Sequence, residues 1–251
     1  MNKLLEVVDL HVKYGSFEAV KGVSFSLGEG EMLGIVGESG SGKSTIAKTL
    51  VGLESPSAGK ITIAPGVGLQ MIFQDAVGSL NPRMTVRQML DETLHHATRK
   101  AKGGAIDLKG ATDAGGLVTL VGLSKAVLDQ YPRELSGGQC QRVSVARALA
   151  CQPKVLIADE PVSALDVSVQ ARILNLMRDL RRELGLAILL IAHDLSVVRN
   201  VCDRVCVMHR GLFEDVGPAE TVFDHPQSDY TKTLLAAVPD VRRSLAARAP
   251  Q

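Results

Sequence analysis

Gly37-Glu38-Ser39-Gly40-Ser41-Gly42-Lys43-Ser44-Thr45 is the stretch on which the reading of the fold turns. It fits the pattern G-x-x-x-x-G-K-[ST] of a phosphate-binding loop. The glycines let the backbone curl until successive N–H groups face phosphate oxygens. Lys43 supplies a point charge for the β- and γ-phosphates, and Ser44 offers a hydroxyl to Mg²⁺. Ahead of the loop, Glu31–Val36 reads as an apolar strand; after it, Ser44 to Val51 carries a helical pattern. That helix adds the positive end of its dipole to the loop. With strand and helix both in place, a plain connecting turn is the poorer reading, and residues 37–45 are assigned to ATP binding.

Outward from the loop, Leu4–Tyr14 and Val20–Leu27 alternate and are bounded by glycine turns, so the N-terminal part reads as strands. From about Asp75 to Ala150 the periodicity is helical. Inside that region Lys100–Gly116 is rich in small residues and glycine and reads as a mobile surface loop. Strand character returns at Val155–Ala158 and Ala187–Ile191, with a helix over Val169–Glu183 between them. Strand, helix, strand implies a parallel sheet. The expected fold is α/β: a phosphate-loop NTPase core with a parallel sheet, an N-terminal antiparallel β subdomain, and a helical subdomain inserted at about 75–150. One domain is expected over 1–238, with a frayed tail over 239–251. Ligands bind at the ends of parallel strands, which places the chemistry after Val36, Ala158 and Ile191.

Composition narrows the function classes. The 251 residues are 45% hydrophobic, so a packed core is expected. A formal net charge of +1, 3% aromatics and no Trp argue against a general nucleic-acid binder. Neither the start of the chain nor its longest apolar stretches, such as Ala187–Ala192, have the length of a signal peptide or a membrane span. A cytosolic chain is therefore expected, with any membrane segments supplied by a partner. Cys140, Cys151, Cys202 and Cys206 form no CxxC pair, and reduced, packed thiols are expected rather than a metal site.

Two further motifs bear on chemistry. Val155–Glu160 is an apolar strand that ends in two carboxylates. Asp159 is placed to hold the Mg²⁺ shell and Glu160 to polarise an attacking water. On their own, the same two acids fit a solvated loop equally well. Leu135-Ser136-Gly137-Gly138-Gln139 precedes a helical run through Ala150. Ser136 can cap that helix, and the two glycines bare its amides. The stretch is either a simple helix start or a second anion-binding helix end.

Taken with the phosphate loop and the Asp159-Glu160 pair, Leu135–Gln139 resembles the signature motif of ATP-binding cassette ATPases, and the resemblance spans nearly the whole chain. It implies that Tyr14 stacks on adenine and that Gln74 senses Mg²⁺ and water at the hinge to the helical lobe. It implies further that Ser163-Ala164-Leu165-Asp166 is the D-loop, with Asp166 facing a partner, and that His193 contacts the γ-phosphate. Catalysis then falls to Glu160, His193 and Gln74, and Mg²⁺ to Ser44, Gln74 and Asp159. Two such subunits would face each other head to tail, each ATP lying between one phosphate loop and the Ser136–Gln139 segment of the other. The implied partners are two transmembrane permease subunits, a second and non-identical ATPase, and, indirectly, a periplasmic or extracellular solute-binding protein. The implied location is the cytoplasmic face of the plasma membrane, as a peripheral subunit.

Phe73–Val86 and His225–Leu235 are similar to segments of the dipeptide, oligopeptide and nickel import branch, and Leu165–Leu180 fits it too. Three departures stand out. The cysteine-rich extension of many members is absent, Cys140 stands where a basic residue is common, and Lys60–Gln70 is short. They leave the substrate open and lean slightly towards nickel. The alternatives are an accessory cassette of a multisubunit enzyme, such as one for phosphonate breakdown, and a soluble non-transport cassette.

Overall fold

All five residues of the strand ahead of the phosphate loop, Met32–Val36, are buried. The strand lies inside a sheet covered on both faces, which is why it carries no polar alternation. The computed structural model describes residues 2–100, 106–163 and 165–237, with backbone alone for 98–100. In chain order the strands and helices are β1 (Lys3–Tyr14), β2 (Phe17–Gly28), β3 (Met32–Val36), α1 (Lys43–Leu50), β4 (Ala58–Ile63), β5 (Leu69–Ile72), α2 (Val86–Lys100), α3 (Ala114–Leu120), α4 (Gly137–Ala150), β6 (Val155–Asp159), α5 (Val167–Leu184), β7 (Ala187–Ala192), α6 (Leu195–Val201), β8 (Arg204–His209), β9 (Leu212–Pro218), α7 (Ala219–Asp224) and α8 (Asp229–Ala236).

Two sheets result. One is antiparallel, in the order β2-β1-β4, and the other has the order β5-β6-β7-β3-β8-β9. In the second sheet every pairing is parallel except that of β8 with β9, a hairpin. Strand period sorts its side chains onto two faces. Met32, Val36, Leu156, Ala158, Ile188 and Leu190 join a core shared with the helical lobe, α5 and α6. Leu33, Ile35, Val155, Ile157, Leu189 and Ile191 join a second core with α1 and the antiparallel sheet. The phosphate loop leaves the C-terminal edge of β3 between these cores, so packing fixes both of its ends.

Two expectations need correction. The stretch Lys100–Gly116 is not a surface loop throughout. Residues 101–105 lie outside the described residues, but Ile106, Leu108 and Ala111 are buried and α3 already begins at Ala114. Asp113 caps that helix through Gly116 N at 2.6 Å, so the glycines start a helix instead of prolonging a loop. The helical region is also preceded by two strands, β4 and β5, that the pattern did not reveal. β4 is an edge strand with no buried position, and β5 has only four residues. The expected tail, 239–251, lies outside the described residues, as does Ala164 of the D-loop.

Candidate functional site

α1 begins without a side-chain cap. Its N-cap, Gly42, sits at φ 110°, and a Cβ there would lie 2.4 Å from the carbonyl oxygen of Ala19. Only glycine fits, and no side chain occupies the first amides of the helix. Lys43 is buried, and its Nζ donates to the carbonyl oxygens of Gly37 (2.8 Å) and Glu38 (2.7 Å). Burial pushes the ammonium below its ordinary pKa, against the opposing pull of Glu160, Asp159 and Glu38.

Opposite the loop, β6 ends at Asp159, whose Oδ1 accepts from Ser44 Oγ at 2.9 Å. Burial raises the Asp159 carboxyl, the Ser44 hydrogen bond opposes the rise, and the Glu160 charge adds to it. Glu160 follows in the left-handed region, at φ 44°, where its N–H donates to Ile191 O at 3.0 Å. Such backbone costs a non-glycine residue about 1 kcal/mol or more. It turns the carboxylate towards Gln74, whose Nε2 donates to Glu160 Oε2 at 3.1 Å. His193 Nδ1 lies 3.4 Å from the same oxygen. Gln74 after β5 and His193 after β7 thus converge on the carboxylate of Glu160 after β6, from three neighbouring strands.

A cleft of about 390 Å³ joins these groups. Its walls include Tyr14, Ser39, Gly40, Gly42, Lys43, Ser44, Thr45, Gln74, Glu160 and His193. Asp159 reaches its edge through Ser44. Phe17 and Ala19 also line the cleft, and sequence reasoning passed over them. The two-residue Gly15-Ser16 turn was the available signal, because it pairs Tyr14 with Phe17 across a tight hairpin. Ser44 Oγ and Asp159 Oδ1 are adjacent hard oxygen donors, a set that suits Mg²⁺ completed by water and phosphate.

Ser136–Gln139 does not line this cleft. Ser136 caps α4 with a reciprocal box: Gln139 N donates to Ser136 Oγ at 3.3 Å and Ser136 N to Gln139 Oε1 at 2.8 Å. Gly137 is the first helical residue, and a Cβ at Gly138 would lie 2.6 Å from Val169 Cγ1 of α5. The second glycine is therefore required by helix–helix packing as well as by access to the amides. Asp166 caps α5, accepting from Val169 N at 3.0 Å and Ser168 Oγ at 2.7 Å. It too lies away from the cleft. Three of the cysteines are buried, burial pushing the Cys206 thiol up to about 12. Among the described residues no group of three His, Cys, Asp or Glu side chains could hold a metal ion, and no helix is long and apolar enough to cross a membrane.

Comparison with known proteins agrees with this geometry. Residues 20–163 match the family described as ABC transporter. The oligopeptide transport ATP-binding protein OppF of Lactococcus lactis subsp. lactis (strain IL1403) is 43% identical over 267 residues, covering 96% of this chain and 82% of that protein. OppF of Escherichia coli (strain K12) is 41% identical over 263 residues, covering 94% and 78%. Among solved structures, cbiO1 from Clostridium perfringens, part of the ABC transporter complex cbiONQ, superposes with a TM-score of 0.77 at 26% identity, covering 98% of this chain and 100% of that one. A dimeric post-hydrolysis state of the ATP-binding cassette MJ0796, bound to ADP and Pi, gives 0.71 at 27% identity, covering 86% and 98%. The chain belongs to the ABC transporter family and is one of its ATP-hydrolysing, ATP-binding subunits.

Proposed function

We propose that this chain powers the import of oligopeptides across a membrane whose spanning subunits are separate chains. The observation that carries the substrate class is 43% identity over 96% of the chain to a protein named for oligopeptide transport. Neither nickel nor an accessory role in another enzyme draws comparable support.

The site residues have the following roles in this reading. The uncapped amides of α1 and Lys43 hold the phosphates, with Gly37–Thr45 forming the cradle. Tyr14 supports the adenine by stacking. Ser44, Asp159 and Gln74 hold Mg²⁺, which when bound neutralises phosphate charge. Glu160 polarises the attacking water, and His193 stabilises the γ-phosphate. Gln74 Nε2 and His193 Nδ1 both approach Glu160 Oε2, so a water bound at that carboxylate meets the base and the phosphate sensor together. Ser136–Gln139 lies outside this chain's own cleft, which favours completion of the site by a second cassette subunit. Asp166 then faces that subunit. The second cassette is related but non-identical, and permease subunits dock beside Gln74 and the helical lobe on the cytoplasmic face. A solute-binding protein outside the membrane delivers the peptide.

Uptake in vesicles tests the proposal. With the chain reconstituted alongside permease subunits and a partner ATPase, and with the solute-binding protein outside, ATP inside the vesicle should drive accumulation of a labelled oligopeptide. Uptake of labelled nickel with no uptake of peptide would overturn the substrate assignment.

A further inference from the structure

The C-terminal helix reaches back to the outer side of the phosphate loop. Asp215 is buried on β9, and its carboxylate accepts from Gln227 N at 3.3 Å and Ser228 N at 3.0 Å. Ser228 then caps α8, accepting from Thr231 N at 3.0 Å. This anchored start carries Tyr230 onto His209, the last residue of β8, ring against ring at 3.9 Å and 8°. His209 Nδ1 in turn lies 3.4 Å from Glu214 Oε1. From that stack the Tyr230 hydroxyl accepts the Glu38 N–H at 3.3 Å, across 192 residues of chain. Glu38 is the residue whose carbonyl oxygen holds Lys43 Nζ at 2.7 Å. The hydroxyl therefore grips, from behind, the segment to which the phosphate-binding lysine is tethered.

We infer that Tyr230 is a positioning residue for the nucleotide: held flat on His209, it fixes the Glu38 peptide and so sets where Lys43 meets the phosphates. The inference rests on the cleft being the ATP site. Tyr230 acts through Glu38 and Lys43 and does not line the cleft. The net worth of a single hydrogen bond to a loop N–H, about 0.5–1.5 kcal/mol, caps what its loss can cost in affinity at roughly 10-fold.

The test is a titration of the full-length chain with ATP and Mg²⁺, alongside thermal unfolding without nucleotide and steady-state hydrolysis in the assembled complex. Tyr230→Phe keeps the ring and the stack and removes only the acceptor. It should weaken ATP binding roughly 2- to 10-fold and raise KM in the same proportion. Turnover number and unfolding midpoint should stay near the wild-type values. His209→Ala should weaken binding in the same direction, and His209→Phe, which restores a flat partner, should recover most of the loss. Wild-type affinity in Tyr230→Phe would overturn the inference. So would a loss of affinity that tracks a fall in unfolding midpoint and is not recovered by His209→Phe. If the wild-type chain itself bound no ATP, the reading of the cleft would fail first, and this inference with it.

Discussion

The starts of α1 and α4 are both glycine-bearing helix ends, yet they are built in opposite ways. At α1 the N-cap is a glycine in left-handed backbone with no capping side chain, beside a buried lysine. At α4 the N-cap is Ser136, closed by a reciprocal box with Gln139 and open to solvent. An uncapped helix start leaves backbone donors to be satisfied by something outside the chain, and a phosphate is the natural group. A capped start is stable by itself. The bare α1 end suits an anion from outside the chain, such as the phosphates of ATP, whereas the capped α4 end satisfies its own first amides.

Replacing Glu160 by Gln attacks the α1 side hardest. The amide keeps the shape but loses the base, so hydrolysis should fall at least roughly 100-fold in the assembled complex. ATP binding should persist, because the α1 amides and Lys43 are untouched. Rapid-quench turnover and a binding titration separate the two quantities. Near-normal turnover would remove Glu160 from its role.

Asp159→Asn sharpens the same side through its effect on stability. Burial raises the Asp159 carboxyl in the folded chain, so the folded state binds its proton more tightly than the unfolded state does. Stability then falls as pH rises from the ordinary carboxylate range through the raised folded pKa, and the deficit persists at neutral pH. The Asn variant lacks that deficit. Without nucleotide or Mg²⁺ it should unfold at a higher temperature than wild type at pH 7, the gain shrinking as pH drops towards 3.8. Its Mg²⁺-dependent hydrolysis should be lost. A wild type more stable than the variant at pH 7 would contradict the assignment of a buried, unfavourably charged carboxylate.

A milder perturbation acts on the α4 side. Gly138→Ala forces a Cβ against Val169 and should cost about 1–3 kcal/mol by overpacking. Val169→Ala clears the space, so the double variant should recover much of that loss in chemical denaturation. ATP affinity of the isolated chain should not change, since α4 does not line the cleft. Additive losses in the double variant would contradict the packing role of Gly138 against Val169.

The comparison also explains what could be read in advance. Lys43, Asp159 and Glu160 could be singled out because each stands at or beyond the end of a strand whose residues are all buried, where an abrupt change from apolar to polar marks the end; His193 received its role only by resemblance. The fate of Ser136 was open from pattern alone, since a cap and an anion site demand the same residues. Gln74 was legible only by resemblance: β5 before it is short and half-buried. The strands β4, β5 and β9 escaped, β4 because an exposed edge carries no alternation, β5 because it has only four residues and β9 because it is largely exposed; β8, a short buried run, was not singled out either. The grip of Tyr230 on Glu38 could not be seen, because it depends on a contact between opposite ends of the chain.

Completion of the α1 site of one subunit by α4 of another can be tested by distributing two lesions in the assembled complex. Lys43→Ala disables the loop of this chain, and Ser136→Arg disables the α4 end that it offers. With the equivalent arginine in the partner's signature segment and Lys43→Ala here, both lesions fall in one composite site and the other stays whole. With Ser136→Arg and Lys43→Ala both in this chain, each composite site carries one lesion. One intact site with measurable hydrolysis is predicted for the first complex; in the second, ATP held on the partner's loop should remain unhydrolysed. Equal residual hydrolysis in the two complexes would contradict completion of the site in trans.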